Sequence, residues 1–168
     1  MPSTWLYIGR FQPLHKWHTS IVDKIIQENE TCVVLIGISE DEYKNPFDYN
    51  TRLHFFTHTY SNCENIFFYP LLDEDSDMAW IEHILSFQEI SIAEKINIYG
   101  GDLENDSAIQ TLQNHLSLFW NKDIHFIEFS RKNIPISGTH IREKISSLGL
   151  WSIKDDIPPE VYEYLVWE

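Results

Sequence analysis

The chain has 168 residues, 43% hydrophobic and 14% aromatic, which suits one domain with a sizeable core and excludes an intrinsically disordered segment. Its 12 Lys and Arg against 26 Asp and Glu give a formal net charge of −14, which argues against a nucleic-acid surface and requires any site for a nucleotide triphosphate to gather positive charge locally. Only Cys32 and Cys63 are present, without metal-ligand spacing, there is no signal-peptide pattern, and no apolar run reaches membrane-spanning length, so a reduced cytoplasmic protein without a membrane anchor is expected.

In chain order, Trp5-Leu6-Tyr7-Ile8 reads as a buried strand. After residues 9–18, Ile21, Val22, Ile25 and Ile26 fall at helical spacing and predict a helix over 19–27. A strand over 32–38 follows, then a helix over 50–60 with Leu53, Phe56 and Phe55 turned inward. Residues 66–69 read as a third strand, and 78–87 as a helix carrying Trp80, Ile81, Ile84 and Leu85 on one stripe. A strand over 96–99, a helical stretch within 103–119, a strand over 124–129 and a helix over 138–147 complete the alternation. Pro158-Pro159 then starts a short final helix to Trp167. Strands alternating with helices predict an α/β fold: one domain over 1–168, with a five-stranded parallel sheet covered by helices on both faces.

The chemistry concentrates in two segments. Gly9-Arg10-Phe11-Gln12-Pro13-Leu14-His15-Lys16-Trp17-His18 places a glycine turn, an arginine and two histidines between the first strand and first helix. Open α/β sheets bind phosphates at such a turn, where a helix N-terminus presents backbone N–H groups. A guanidinium at Arg10 can bond two phosphate oxygens at once, and imidazoles at His15 and His18 can donate to others. A zinc site would need a further Cys, Asp or Glu nearby, and none is present. Ile136-Ser137-Gly138-Thr139-His140-Ile141-Arg142 is a second helix start, with Ser137 or Thr139 as its cap.

Residues 9–18 resemble the GRFQPxHxGH signature of the nucleotidyltransferases related to class I aminoacyl-tRNA synthetases, and most of all the archaeal-type nicotinamide mononucleotide (NMN) adenylyltransferases. Residues 136–142 resemble the ISGTxIR signature of the same family. Lys44-Asn45-Pro46-Phe47 with Arg52 resembles its NPF-x-x-x-x-R segment, and Pro70-Leu71-Leu72-Asp73 followed by Trp80 resembles its substrate segment. The resemblance implies a Rossmann-like nucleotidyltransferase that joins NMN and ATP into NAD and pyrophosphate, with nicotinic acid mononucleotide as a second acceptor. It implies catalytic roles for His15, His18 and Arg142. ATP would meet Gly9, Arg10, Phe11, Trp17, Gly100, Asp102, Ser137, Gly138 and Thr139. NMN would meet Lys44, Asp73 and Trp80, while Arg52 supports the loop and its helix. Mg²⁺ would be held mainly by ATP phosphates, with no protein ligands. A homo-oligomer is implied, with neither nucleic acid nor membrane as partner. Two letters depart from the family pattern: Trp17 stands at a glycine position, and Asp102 at an asparagine found in some relatives. The indole of Trp17 leaves two alternatives open: a non-catalytic nucleotide-binding regulator, or a transferase for another nucleotide or acceptor.

Overall fold

The computed structural model describes residues 3–39, 46–100, 106–129 and 136–167. The elements run β1 (Thr4–Gly9), α1 (Lys16–Gln27), β2 (Thr31–Ile38), α2 (Tyr49–Thr59), β3 (Ile66–Leu72), α3 (Asp77–Ser86), α4 (Gln88–Ser91), β4 (Lys95–Gly100), α5 (Ser107–Asn114), β5 (Asp123–Glu128), α6 (Gly138–Leu148) and α7 (Pro159–Trp167). Short 3₁₀ turns lie at Leu116–Phe119 and Leu150–Ile153. The five strands form one sheet in the order β3-β2-β1-β4-β5, every neighbouring pair parallel. The expected five-stranded parallel sheet and Rossmann-like architecture are therefore present. Strand order reverses between β1 and β4, and in such sheets the crevice outside the carboxyl ends at this reversal is where ligands bind.

Alternation along the central strands sorts side chains onto two faces. Tyr7, Val34, Ile36 and Tyr99 are buried in one core cluster with Ile21 and Ile25 of α1, Phe55 and Phe56 of α2, Ile141 of α6 and Val161 of α7. Leu6, Val33, Leu35, Ile96 and Ile98 are buried on the other face with Ile81 and Ile84 of α3, Ile90 of α4 and Ile109 and Leu112 of α5. Fully burying one such aliphatic side chain stabilises by about 1.5–3 kcal/mol. This double covering explains why β1 and β2 read as continuous apolar runs. Cys32 lies inside the first cluster, and burial pushes its thiol up to about 12, so it is an inert core residue.

Four elements differ from the sequence expectation. α1 begins at Lys16, one turn earlier, because His15 caps it: the His15 backbone N–H donates to Nδ1 of His18 at 3.1 Å. β3 continues through Pro70 to Leu72, since an edge strand tolerates a residue without an N–H; Pro70 pairs with Ile36. α5 is shorter than the 103–119 stretch and is capped by Asp106, whose carboxylate accepts from the Ala108 and Ile109 amides. In α2, Phe55 and Phe56 are buried as expected, but Leu53 is only half-buried, and Arg52 joins them inside. The four-residue α4 is held at its end by Lys122, whose ammonium donates to the carbonyls of Ile90, Ser91 and Ala93 at 2.8–2.9 Å. No helix among the described residues is long and apolar enough to cross a membrane.

Candidate active site

The site is built on the loop that leaves β1. Gly9 is required there: a Cβ would come 2.8 Å from the Phe11 ring, which folds back across it. Phe11 adopts a positive φ of 54°, a conformation that costs a non-glycine residue energy and has to be held by its surroundings. Its ring is 2% exposed and meets Tyr7, Phe56 and His18 edge-on, at centroid distances of 5.2, 4.7 and 4.7 Å. Phe11 thus lies in the core and supports His18.

His15 is buried and His18 half-buried, with their rings stacked at 3.6 Å and 22° between planes. The bond from the His15 amide makes Nδ1 of His18 an acceptor, so the hydrogen of the neutral ring resides on Nε2. His18 is thereby set as an Nε2–H donor. One amide of the α1 N-terminus is already engaged: Lys16 N–H donates to the Asp156 carbonyl at 2.9 Å, while the Asp156 carboxylate accepts from the Lys144 ammonium at 2.9 Å. The C-terminal part of the chain therefore anchors the start of α1, a contact that the motifs alone do not reveal.

The second motif meets the first directly. Ser137 caps α6, its hydroxyl accepting from the His140 amide at 3.2 Å. The Arg142 guanidinium donates from Nη1 to the Gln12 carbonyl at 2.6 Å and from Nη2 to the Thr139 hydroxyl at 3.3 Å. Gly138 makes this possible, because a Cβ there would lie 3.0 Å from Arg142 Nη1 and 3.1 Å from the Gln12 oxygen. Burial lowers the Arg142 pKa, opposed by the nearby Glu143 carboxylate, yet a guanidinium keeps its charge.

A third segment is tied to the same loop. The Gln12 amide donates to the Phe47 carbonyl and accepts from the Phe47 N–H, each at 2.8 Å. Arg52 donates from Nη1 to the carbonyls of Arg10 and Gly37 at 2.8 and 2.6 Å, and from Nε to that of Asp48 at 3.2 Å. Its pKa is lowered by burial first, with the Arg10 charge adding to that and Asp48 and Tyr49 opposing it. Arg10 itself is exposed beside this bonded backbone. Arg10, Arg52 and Arg142 thus gather positive charge around this loop, in a chain whose net charge is −14.

The other named residues are more spread out. Trp17 is 3% exposed, packed in the first core cluster with Tyr99 of β4, ring centroids 6.4 Å apart. It fills the α1 side of the sheet near the β4 end, where Gly100 is buried opposite Glu128. Asp73 is exposed just beyond the edge strand β3, and Trp80, in the first turns of α3, is half-buried against the second core cluster. Lys44 and Asp102 lie outside the described residues. Among the described residues, no group of three or more His, Cys, Asp and Glu is placed to hold a metal ion. A cluster of guanidiniums suits an ion that arrives already coordinated by phosphates, and does not itself offer ligands.

The profile of the family described as cytidylyltransferase-like matches residues 6–144. The chain is 27% identical over 163 residues to a nicotinamide-nucleotide adenylyltransferase from Picrophilus torridus, covering 92% of this chain and 85% of that protein. It is likewise 27% identical over 170 residues to the nicotinamide-nucleotide adenylyltransferase of Thermoplasma acidophilum, covering 94% and 82%. Among solved structures, the bifunctional NMN adenylyltransferase/ADP ribose pyrophosphatase of Francisella tularensis superposes with a TM-score of 0.72 at 21% identity over 99% of this chain. This chain spans 49% of that protein. A second structure of the Francisella protein, complexed with AMP and a manganese ion, gives a TM-score of 0.69 at 19% identity.

Proposed function

The chain belongs to the cytidylyltransferase-like family, and from that premise we propose that it transfers the adenylyl group of ATP to NMN, giving NAD and pyrophosphate. The observation that carries the reading is the junction of the two outer motifs: Arg142 of α6 bonds the Gln12 carbonyl of the β1–α1 loop at 2.6 Å. A phosphate oxygen of NMN attacks the α-phosphorus of ATP, the bond from that phosphorus to the pyrophosphate oxygen breaks, and pyrophosphate leaves with the electron pair. The attacking oxygen is already an anion, so no general base is needed. The work is to position the groups and stabilise the charge that develops.

In this reading, His18 Nε2–H and His15 serve the α-phosphoryl group, while Arg10 and Arg142 hold the β- and γ-phosphates. Ser137, Gly138 and Thr139 bring the α6 N-terminus to the triphosphate. Gly9, Phe11, Trp17, Gly100 and Asp102 shape the nucleoside side, and Lys44, Asp73 and Trp80 serve NMN. A divalent cation, Mg²⁺ in this reading, would be held by the ATP phosphates and not by side chains of this chain, and would supply neutralisation of part of their charge. Nicotinic acid mononucleotide is the second acceptor, the protein works in the cytoplasm, and it assembles with copies of itself.

The burial of Trp17 against Tyr99 favours one variant of this reading, in which the indole narrows the nucleoside side and changes which base is accepted. One assay covers both. Folded protein with NMN and Mg²⁺, offered ATP, GTP and CTP separately, is expected to release NAD and pyrophosphate in equal amounts from ATP. Activity with another triphosphate alone would establish the variant, and no transfer from any of them would remove NMN as the acceptor.

Trp80 is expected to stack its indole on the cationic nicotinamide ring, a contact worth on the order of 1–2 kcal/mol. Trp80→Ala should then weaken NMN binding about tenfold and leave ATP binding unchanged, as read by separate calorimetric titrations. Equal weakening of both ligands would leave Trp80 with only its packing role against the second core cluster.

A further inference from the structure

Two buried polar side chains join the loop after β1 to the loop before α2. Gln12 is 4% exposed and Arg52 3% exposed. The β1–β2 ladder ends at the Gly9–Ile36 pair, so the carbonyls of Arg10 and Gly37 lie one step beyond it. Arg52 Nη1 bridges those two carbonyls at 2.8 and 2.6 Å, and Nε reaches the Asp48 carbonyl at the α2 cap at 3.2 Å. Gln12, two residues along, makes both amide bonds to the Phe47 backbone. A buried guanidinium is costly, and an apolar residue of similar volume would serve packing alone at least as well. Its donors are instead spent on backbone at the point where Arg10 turns its side chain to the surface. The Gln12 carbonyl is also the group that Arg142 grips.

We propose that Arg52 and Gln12 are positioning residues for the transfer reaction, clamping the β1–α1 loop to Gly37 at the end of β2 and to Phe47 and Asp48 ahead of α2, and thereby fixing where Arg10 presents its guanidinium to phosphate. Neither side chain touches substrate. Because it assigns Arg10 to phosphate, this inference rests on the function proposed above.

A double-mutant cycle over parent, Arg52→Met, Arg10→Ala and the double variant tests it, with kcat and both KM values measured on protein shown folded by thermal denaturation. Misplacing a positioning group by about 1 Å costs up to roughly a hundredfold in rate, so Arg52→Met is expected to lower kcat by about 10–100-fold, with smaller changes in KM. If Arg52 acts through Arg10, the double variant should be no slower than Arg10→Ala alone, within about twofold. Losses that multiply would overturn the proposal, as would near-parental kcat in Arg52→Met. Should Arg52→Met fail to fold, Gln12→Glu takes its place in the cycle: it retains an acceptor for the Phe47 N–H and loses the donor to the Phe47 carbonyl. A parent that makes no NAD contradicts the proposed function separately. The cycle is then read from Mg-ATP affinity, where additive losses contradict the clamp and non-additive losses support it.

Discussion

Replacing His18 by alanine is expected to lower kcat by roughly a hundredfold or more, the usual cost of removing one preorganised donor from a developing oxyanion. KM should change less, because the contact strengthens as charge builds in the transition state. The geometry permits a sharper version. His18 would do two jobs: Nδ1 accepts the His15 amide and fixes the start of α1, while in the proposed reaction Nε2–H donates to the phosphoryl group. Asparagine retains an acceptor near the Nδ1 position but has no donor at the Nε2 position; glutamine reaches the Nε2 position with an amide donor. His18→Asn should therefore match His18→Ala in kcat yet stay close to the parent in melting temperature. His18→Gln should recover part of kcat. If all three lose activity in proportion to lost stability, His18 is only the cap of α1.

Arg142→Ala should have an effect of similar size for a different reason. The guanidinium lies between the Gln12 carbonyl and the Thr139 hydroxyl, in the first turns of α6, so its loss removes a charge from the proposed triphosphate site and unties the two motifs together. We expect kcat to fall about a hundredfold or more. Affinity should separate by phosphate number: ATP binding weakens, while AMP binding, which lacks the β- and γ-phosphates, stays near the parental value. Titrating both nucleotides into Arg142→Ala and Arg142→Lys reads this directly. Lysine retains the charge but cannot form the planar fork, so it should rescue only partly. Equal weakening of AMP and ATP would place Arg142 away from the outer phosphates.

Strands are legible in the sequence where both faces of the sheet are covered, because β1 and β2 then show nearly uninterrupted apolar residues. The two outer motifs were legible because a glycine turn before a helix has a local pattern, and the structure joins them through Arg142. What escaped was decided by contacts between distant segments. The start of α1 at Lys16 is hidden in the sequence because a histidine, not Ser, Thr, Asp or Asn, stands at the cap. The edge position of β3, which lets it run through Pro70, follows from sheet order and not from the run itself. The bonds from Arg52 and Gln12 end on backbone atoms of other loops, which no side-chain pattern records. The seat of Trp17 depends on Tyr99 from a different strand. Four-residue elements such as α4 are too short to show a period.

Isotope labelling follows the adenylyl group of ATP, with its α-phosphorus, onto NMN. With ATP labelled at the α-phosphorus, all transferred label is expected in NAD and none in pyrophosphate; with label at the γ-phosphorus, all of it is expected in pyrophosphate. Label from the γ-position entering the nucleotide product, or α-label remaining in unreacted ATP while NMN persists with well-folded protein, would contradict that transfer.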